Sequence, residues 1–218
     1  MISKLQIQSE PNPFSTRFVR PGAIVYQRLD GGTLDELVAD FFGRCRDWGA
    51  IIGPHGSGKS TLIASLQPVL AKHCSIFAYR FSTTDREFQM LWNQCLQWSD
   101  NSLIIVDGYE QLSSWARWRL RSAVRRRKAG LLITAHQPYR AFAVLMQTSV
   151  DEEQAKCLRD ALLQKRPDLA AAVDLEAVWA AARTEFPTDL RETMMSMYDW
   201  VEDQKQKRPA SHNNSRAV

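Results

Sequence analysis

The chain has 218 residues, of which 44% are hydrophobic, so it can bury one sizeable core with a small appendage. It has no run of about 18 uninterrupted apolar residues, and its first residues lack the apolar segment of an export signal. These absences argue against a membrane span and indicate a cytoplasmic protein. The net charge of +4 favours an anionic partner, and the four cysteines are too scattered for a zinc site.

The chain begins with an irregular segment, residues 1–32, in which proline and glycine interrupt every periodic pattern. We expect this segment to be an arm that packs on the domain. Thr33 and Glu36 then form a capping-box signature, and apolar residues recur at helical spacing as far as about Arg46. The pattern predicts an amphipathic helix that is followed by a turn at Asp47.

Predicted helices and strands alternate from there to about residue 150, which is typical of an α/β domain with a largely parallel sheet. The apolar runs predict strands at 48–52, 75–81, 102–107, 130–135 and, less distinctly, 142–147. Helices are predicted at 59–72, 85–98 and 114–128. Near-continuous Ile, Leu and Val in the strands indicate a sheet covered on both faces, that is, a three-layer α/β/α fold.

After Ser149 the strand patterns end, and three helices are predicted within residues 150–166, 174–186 and 188–205. The last stretch has no apolar face and is expected to be disordered. The predicted organisation is therefore an arm, a core, a small helical subdomain and a tail, with boundaries at 1–32, 33–150, 151–205 and 206–218.

The segment GPHGSGKS, residues 53–60, joins the first predicted strand to the following helix and matches Gly-x-x-x-x-Gly-Lys-Ser. Glycines let successive backbone N–H groups converge on phosphate oxygens, and the helix start adds the positive end of its dipole. Lys59 would neutralise phosphate charge and the Ser60 hydroxyl would be a ligand of Mg²⁺. The predicted nucleotide-binding residues are Gly53, Pro54, His55, Gly56, Ser57, Gly58, Lys59, Ser60 and Thr61.

Two further strands end in polar residues that suit the same chemistry. Asp107 ends the run SLIIVD and is predicted to hold Mg²⁺ with Ser60. Glu110 is a candidate base for the attacking water, or else an exposed capping acid beside the next helix. His136, after LLITA, is a candidate sensor of the γ-phosphate, as is Thr134; the alternative is a loop histidine facing solvent.

These residues resemble the P-loop NTPases, and more narrowly the branch with an extra strand, here SIFAYRF, between the phosphate loop and the acid-bearing strand. Within that branch the layout is similar to AAA+ and STAND ATPases, although His136 stands where the sensor strand usually has arginine. The resemblance implies ATP and Mg²⁺ as cofactors and a helical lid after the core. It also implies a γ-phosphate contact from Arg191 in the lid and a weaker candidate, Arg140, for an arginine acting on a neighbouring subunit.

The predicted helix 114–128 carries an apolar stripe and a concentrated positive charge. Arg117, Arg121, Arg125 and Lys128 follow one another on one face, and Trp115 and Trp118 offer rings for stacking. The face would bind nucleic acid, or it is a solvated surface whose long side chains cover apolar neighbours.

The motifs together predict a Mg²⁺-dependent ATPase that couples hydrolysis to a conformational switch, in a homo-oligomer or with a protein partner. An Asn/Thr-Lys-x-Asp string is absent from the sequence, so ATP is preferred to GTP. One alternative is a nucleotide-gated adaptor or DNA-binding switch with little turnover. The other is a small-molecule kinase, although we find neither an acceptor pocket nor an internal lid in the pattern.

Overall fold

A five-stranded parallel sheet forms the centre of the protein. The computed structural model describes residues 11–26, 28, 30–81, 86–150, 152–164, 166–172 and 174–207. The strands are β1 (Trp48–Ile52), β2 (Ser75–Arg80), β3 (Ser102–Asp107), β4 (Gly130–Ala135) and β5 (Ala143–Gln147). The predicted α/β class and all five predicted strands, including the last, are therefore confirmed.

The strands lie in the order β2-β3-β4-β1-β5. β4 pairs with both β1 and β3, whereas β2 pairs with β3 and forms one edge. The segment SIFAYRF, which forms β2, lies between the loop 53–60 and β3 along the chain, but in the sheet it is β4 that lies between β1 and β3. This order brings the carboxyl ends of β1, β4 and β3 side by side.

Helices cover both faces of the sheet. The helices α2 (Leu34–Phe42) and α3 (Lys59–Leu70) pack on one face, and α4 (Arg86–Gln94) and α5 (Ser114–Arg126) pack on the other. The apolar stripe predicted for α5 is buried as expected, at Leu112, Ala116, Leu120, Ala123 and Val124.

The helix ends differ slightly from the predicted ones, for local reasons. Thr33 and Glu36 form the predicted capping box at the start of α2. That helix ends at Phe42 rather than near Arg46, and Arg46 and Asp47 adopt positive φ in the turn before β1. α5 likewise ends before Lys128, whose φ is +56°.

The C-terminal part is helical, as predicted, and has its own core. It consists of α6 (Glu152–Leu163), the short α7 (Pro167–Ala170), α8 (Leu175–Glu185) and α9 (Leu190–Lys207). Trp179, Met194, Met197 and Val201 are buried in this core. The predicted disordered tail falls on residues 206–218, of which 208–218 lie outside the described residues.

The N-terminal arm differs from the irregular segment that we expected, because it contains the short helix α1 (Thr16–Val19) and connects both parts of the protein. Phe14 is fully buried among the C-terminal helices, and Asn12 donates to the Tyr198 carbonyl and to Glu202. Further along, the Tyr26 backbone N–H donates to the Ser65 hydroxyl on α3. Residues 1–10 lie outside the described residues.

Among the residues that the structure describes, no helix has the length and apolar character needed to cross a membrane. Cys45, Cys74, Cys95 and Cys157 are all free, in agreement with their spacing in the sequence.

Candidate functional site

The loop between β1 and α3 is a tight turn that depends on glycine. Gly56 and Gly58 have φ of +67° and +87°, and Gly58 is the residue that caps the start of α3. Residues with a Cβ rarely adopt these angles. The loop therefore exposes backbone beside the positive end of a twelve-residue helix, an arrangement that attracts anions.

Lys59 closes the loop. Its Nζ donates to the Gly53 carbonyl at 2.7 Å and to the Pro54 carbonyl at 2.5 Å. Burial lowers the pKa of the Lys59 ammonium, while the negative charges of Glu110, Asp107 and Asp189 act in the opposite direction. The predicted phosphate-binding lysine is thus held inside the loop and within electrostatic reach of three carboxylates.

A residue that the sequence reasoning missed, Thr148, supports the loop from the end of β5. Its hydroxyl is 2.7 Å from the Ser57 hydroxyl and 3.2 Å from the Ile52 carbonyl, to which it donates. The Ser57 hydroxyl in turn donates to the Pro54 carbonyl at 2.8 Å. Thr148 and Ser57 are both buried, so among the predicted nucleotide-binding residues Ser57 has a structural role in the loop.

The other predicted binding residues lie along the loop and the first turn of α3. Ser60 and Thr61 are the second and third residues of that helix and are half-buried. Pro54 and His55 are exposed at the outer side of the loop. The Tyr26 ring of the N-terminal arm packs against Gly58, a contact that the sequence did not indicate.

Asp107 ends β3 and is bound from both neighbouring strands. Thr134, on β4, donates its hydroxyl to Asp107 Oδ1 at 2.7 Å and accepts the Gly108 N–H at 2.8 Å. Arg80, at the end of β2, donates Nε to Asp107 Oδ2 at 3.0 Å. Thr134 is therefore a positioning residue for the acid, and Arg80 is a partner that sequence reasoning missed.

Glu110 and His136 meet beside the loop. Glu110 Oε1 lies 3.4 Å from His136 Nε2, and the ring centroids of His136 and His55 are 4.0 Å apart. Glu110 Oε2 is buried and has no hydrogen-bond partner within the described residues. Burial lowers the pKa of the His136 imidazole; Glu110 opposes this shift, whereas Lys59 and His55 add to it.

Arg191 is exposed near the start of α9, and its backbone N–H donates to Asp189 Oδ1. It is Asp189 that lies against the loop, because a Cβ added at Gly56 would collide with its carboxylate. The start of α9 is thus next to the loop 53–60, but the side chain in contact is the acidic Asp189 rather than Arg191. Arg140 is exposed in the turn after β4.

The basic residues of α5 are arranged differently from the predicted line of four. Arg117 donates to the Leu112 carbonyl and to the Tyr139 hydroxyl, and Arg121 donates to the Tyr109 hydroxyl. Arg125 lies over the Trp48 ring at 4.9 Å. Three of the four thus pack on aromatic rings or bond to their hydroxyls, which favours the interpretation that long side chains cover apolar neighbours.

The donor set suits a magnesium polyphosphate better than a transition metal. No group of three or more His, Cys, Asp or Glu side chains in the described part of the chain is arranged to hold a metal ion. The predicted ligands, the Ser60 hydroxyl and the Asp107 carboxylate, offer the oxygen atoms that Mg²⁺ prefers when phosphate and water complete its shell. The glycine turn, the Lys59 ammonium and the start of α3 fit the phosphates.

Neither a comparison with models of known protein families nor one with curated proteins finds a match to this chain.

Proposed function

We propose that the protein binds ATP with Mg²⁺ at the loop 53–60 and hydrolyses it to drive a conformational change, in the manner of the AAA+ and STAND ATPases. The observation that carries the proposal is the environment of Lys59. One half-buried ammonium is bound to the loop carbonyls and lies within electrostatic reach of Asp107 and Glu110, at the start of a helix.

Lys59 and the loop backbone supply the binding step. The carbonyls of Gly53 and Pro54 are weaker partners for an ammonium group than phosphate oxygens, since charged acceptors form the stronger hydrogen bonds. Lys59 would therefore exchange these carbonyls for phosphate oxygens. The N–H groups around Gly56 and Gly58 would take the remaining phosphate charge.

Ser60 and Asp107 would hold the magnesium ion. When bound, Mg²⁺ supplies neutralisation of the charge that develops on the phosphate oxygens. Thr134 keeps Asp107 Oδ1 in place through a buried hydrogen bond, so the carboxylate would already be oriented before the magnesium ion binds. Arg80 shares the second carboxylate oxygen and lies at the same edge of the sheet.

Glu110 would orient and deprotonate the attacking water, because its Oε2 is buried, has no hydrogen-bond partner among the described residues and lies within electrostatic reach of Lys59. His136 touches the other carboxylate oxygen and would keep the Glu110 side chain turned toward the loop. Arg191 would reach the γ-phosphate when α9 moves, which would link hydrolysis to the helical region.

The proposal is tested by ATP turnover with Mg²⁺ for the wild type, Lys59→Ala and Lys72→Ala. Lys72 is an exposed lysine shortly after α3, so its variant controls for the loss of one positive charge. We expect turnover to vanish in Lys59→Ala and to persist in Lys72→Ala. Equal turnover in the two variants would show that Lys59 and its loop take no part in the reaction.

Glu110→Gln separates hydrolysis from binding. The amide keeps the shape of the side chain but cannot take a proton, so we expect ATP binding with turnover reduced by about a hundredfold or more. Wild-type protein that binds ATP yet shows no turnover would instead support a nucleotide-gated adaptor. Turnover that is unchanged in Glu110→Gln would remove Glu110 from the mechanism.

A further inference from the structure

The side of α5 that points away from the sheet has an unusual composition. Its buried stripe includes Ala116, Leu120 and Val124. The opposite side, which we call the outer α5 face, contains residues at spacings of three, four, seven and eleven, which place them in one row: Trp115, Trp118, Arg119, Ser122 and Arg126.

Two tryptophans of the outer α5 face are left in solvent. All seven tryptophans of the chain lie in the described residues, and Trp115 and Trp118 are the two exposed ones, at 60% and 59%. An indole ring buries a large apolar area when it has a partner, so two exposed rings one turn apart indicate a surface that contacts something else.

The charged residues in the chain segment that contains these rings are all positive. The sequence has no Asp or Glu between Glu110 and Asp151, whereas this segment contains eight arginines and lysines. Arg119, Arg125, Arg126, Arg127 and Lys128 are exposed on or next to α5. Arg119 stacks on Trp92 at 4.1 Å and lies 5.2 Å from the Trp115 ring, which places a cation directly beside one of the exposed indoles.

The arginines of α5 that bind neighbouring side chains do not belong to the outer α5 face. Arg117 and Arg121 are half-buried and bind tyrosine hydroxyls on the flank of α5, so they satisfy local partners. The outer α5 face therefore combines flat aromatic groups with cations that have no acidic neighbour in their own segment of the chain.

We propose that the outer α5 face binds single-stranded nucleic acid. Unpaired bases stack on aromatic rings without regard to sequence, and the phosphates between them need nearby cations. From Trp115 to Arg126 the row extends over about 16 Å, at 1.5 Å per residue, which suits a few nucleotides. A duplex would offer phosphates to the arginines but no free base faces to the indoles.

The proposal does not depend on ATP binding, because the outer α5 face shares no residue with the loop 53–60. Binding is measured by fluorescence anisotropy of a labelled thymidine 20-mer and of a blunt duplex of the same length, without nucleotide. The proteins are the wild type, Trp115→Ala, Trp118→Ala, Arg126→Glu and Lys72→Glu. The last two change the charge equally, but Lys72 follows α3 on the other face of the sheet.

We expect the wild type to prefer the single strand, with a salt dependence that falls in Arg126→Glu. Each tryptophan variant should bind the single strand about 5- to 150-fold more weakly, because stacking on one ring contributes about 1–3 kcal/mol. Arg126→Glu should weaken binding markedly more than Lys72→Glu. Circular dichroism checks that the exposed substitutions leave the fold intact.

Three results would overturn the proposal. One is the absence of binding to the single strand at low salt. Another is an equal loss of affinity in Arg126→Glu and Lys72→Glu together with unchanged affinity in the two tryptophan variants. This would indicate that the single strand is attracted by the overall positive charge and not by the outer α5 face. The third is a wild type that dimerises and tryptophan variants that do not, measured by sedimentation, because the face would then contact a second copy of the chain.

Discussion

Replacing Thr134 with valine removes one hydroxyl from the carboxyl edge of the sheet and keeps the shape of the side chain. Thr134 is 1% exposed, and its hydroxyl donates to Asp107 and accepts from the Gly108 N–H. Asp107 is also buried, so water cannot replace the lost donor without rearrangement. The variant would leave a carboxylate oxygen and a backbone N–H without their partner.

The expected loss follows from these two hydrogen bonds. A hydrogen bond to a charged group contributes about 1.5–3 kcal/mol to stability and a neutral one about 0.5–1.5 kcal/mol. Arg80 still binds the other oxygen of Asp107, which moderates the loss. We therefore expect the free energy of unfolding to fall by about 3 kcal/mol, or a Tm lower by about 6–12 °C for a chain of this size.

The measurement is urea and thermal unfolding of the wild type, Thr134→Val and Thr134→Ser. Serine retains the hydroxyl but loses a buried methyl group, at a cost of about 1 kcal/mol. The valine variant should therefore be the less stable of the two by about 2 kcal/mol. A valine variant as stable as the serine variant would refute the reasoning, because the hydroxyl would then not hold Asp107.

Two other substitutions, at Asp189 and Asp168, test ATP affinity and the acid dependence of stability. If the loop binds ATP, Asp189→Asn should strengthen ATP binding by about 1 kcal/mol, or roughly fivefold. The substitution removes a negative charge near Gly56 and Lys59, while asparagine can still cap α9. An unchanged Kd in a titration with a fluorescent ATP analogue would contradict this prediction. Hydrogen bonds from Arg166 lower the pKa of the Asp168 carboxyl in the folded state. The ionised carboxylate therefore contributes its full stabilisation of the folded protein above the unfolded pKa of about 3.9, and this contribution is lost as the pH falls through the lower folded pKa. Urea unfolding from pH 7 to about pH 2 should therefore show a smaller acid-induced loss for Asp168→Asn than for the wild type, and equal losses would count against the effect.

The parts of the fold that the sequence predicted are those that local patterns determine. The run before Gly53 is apolar, glycines follow it, and a helical pattern begins at Lys59, so strand, loop and helix can be recognised from neighbouring residues alone. The capping box at Thr33 is equally local. The C-terminal helices follow from periodicity and from the prolines between them.

The contacts that complete the candidate site are not local. Thr148 supports Ser57 from 91 residues away, and Arg80 reaches Asp107 only because β2 pairs with β3. Chain order does not reveal strand order, so the polar side chains at the ends of paired strands could not be matched in advance. The contact of Asp189 with the loop depends in the same way on where α9 begins.

The two partners of Asp107 also differ in a way that bears on its proposed role as a magnesium ligand. Thr134 lies on the interior strand β4 and is buried, so its hydrogen bond persists as long as the sheet is intact. Arg80 lies on the edge strand, and its side chain is 56% exposed, so water can solvate the guanidinium at little cost when it leaves the carboxylate. One oxygen of Asp107 is therefore fixed by the fold, while the other is held by a partner that can be exchanged. A carboxylate with one fixed and one exchangeable oxygen can bind a cation without losing its orientation, which is what a magnesium ligand at the end of a strand requires.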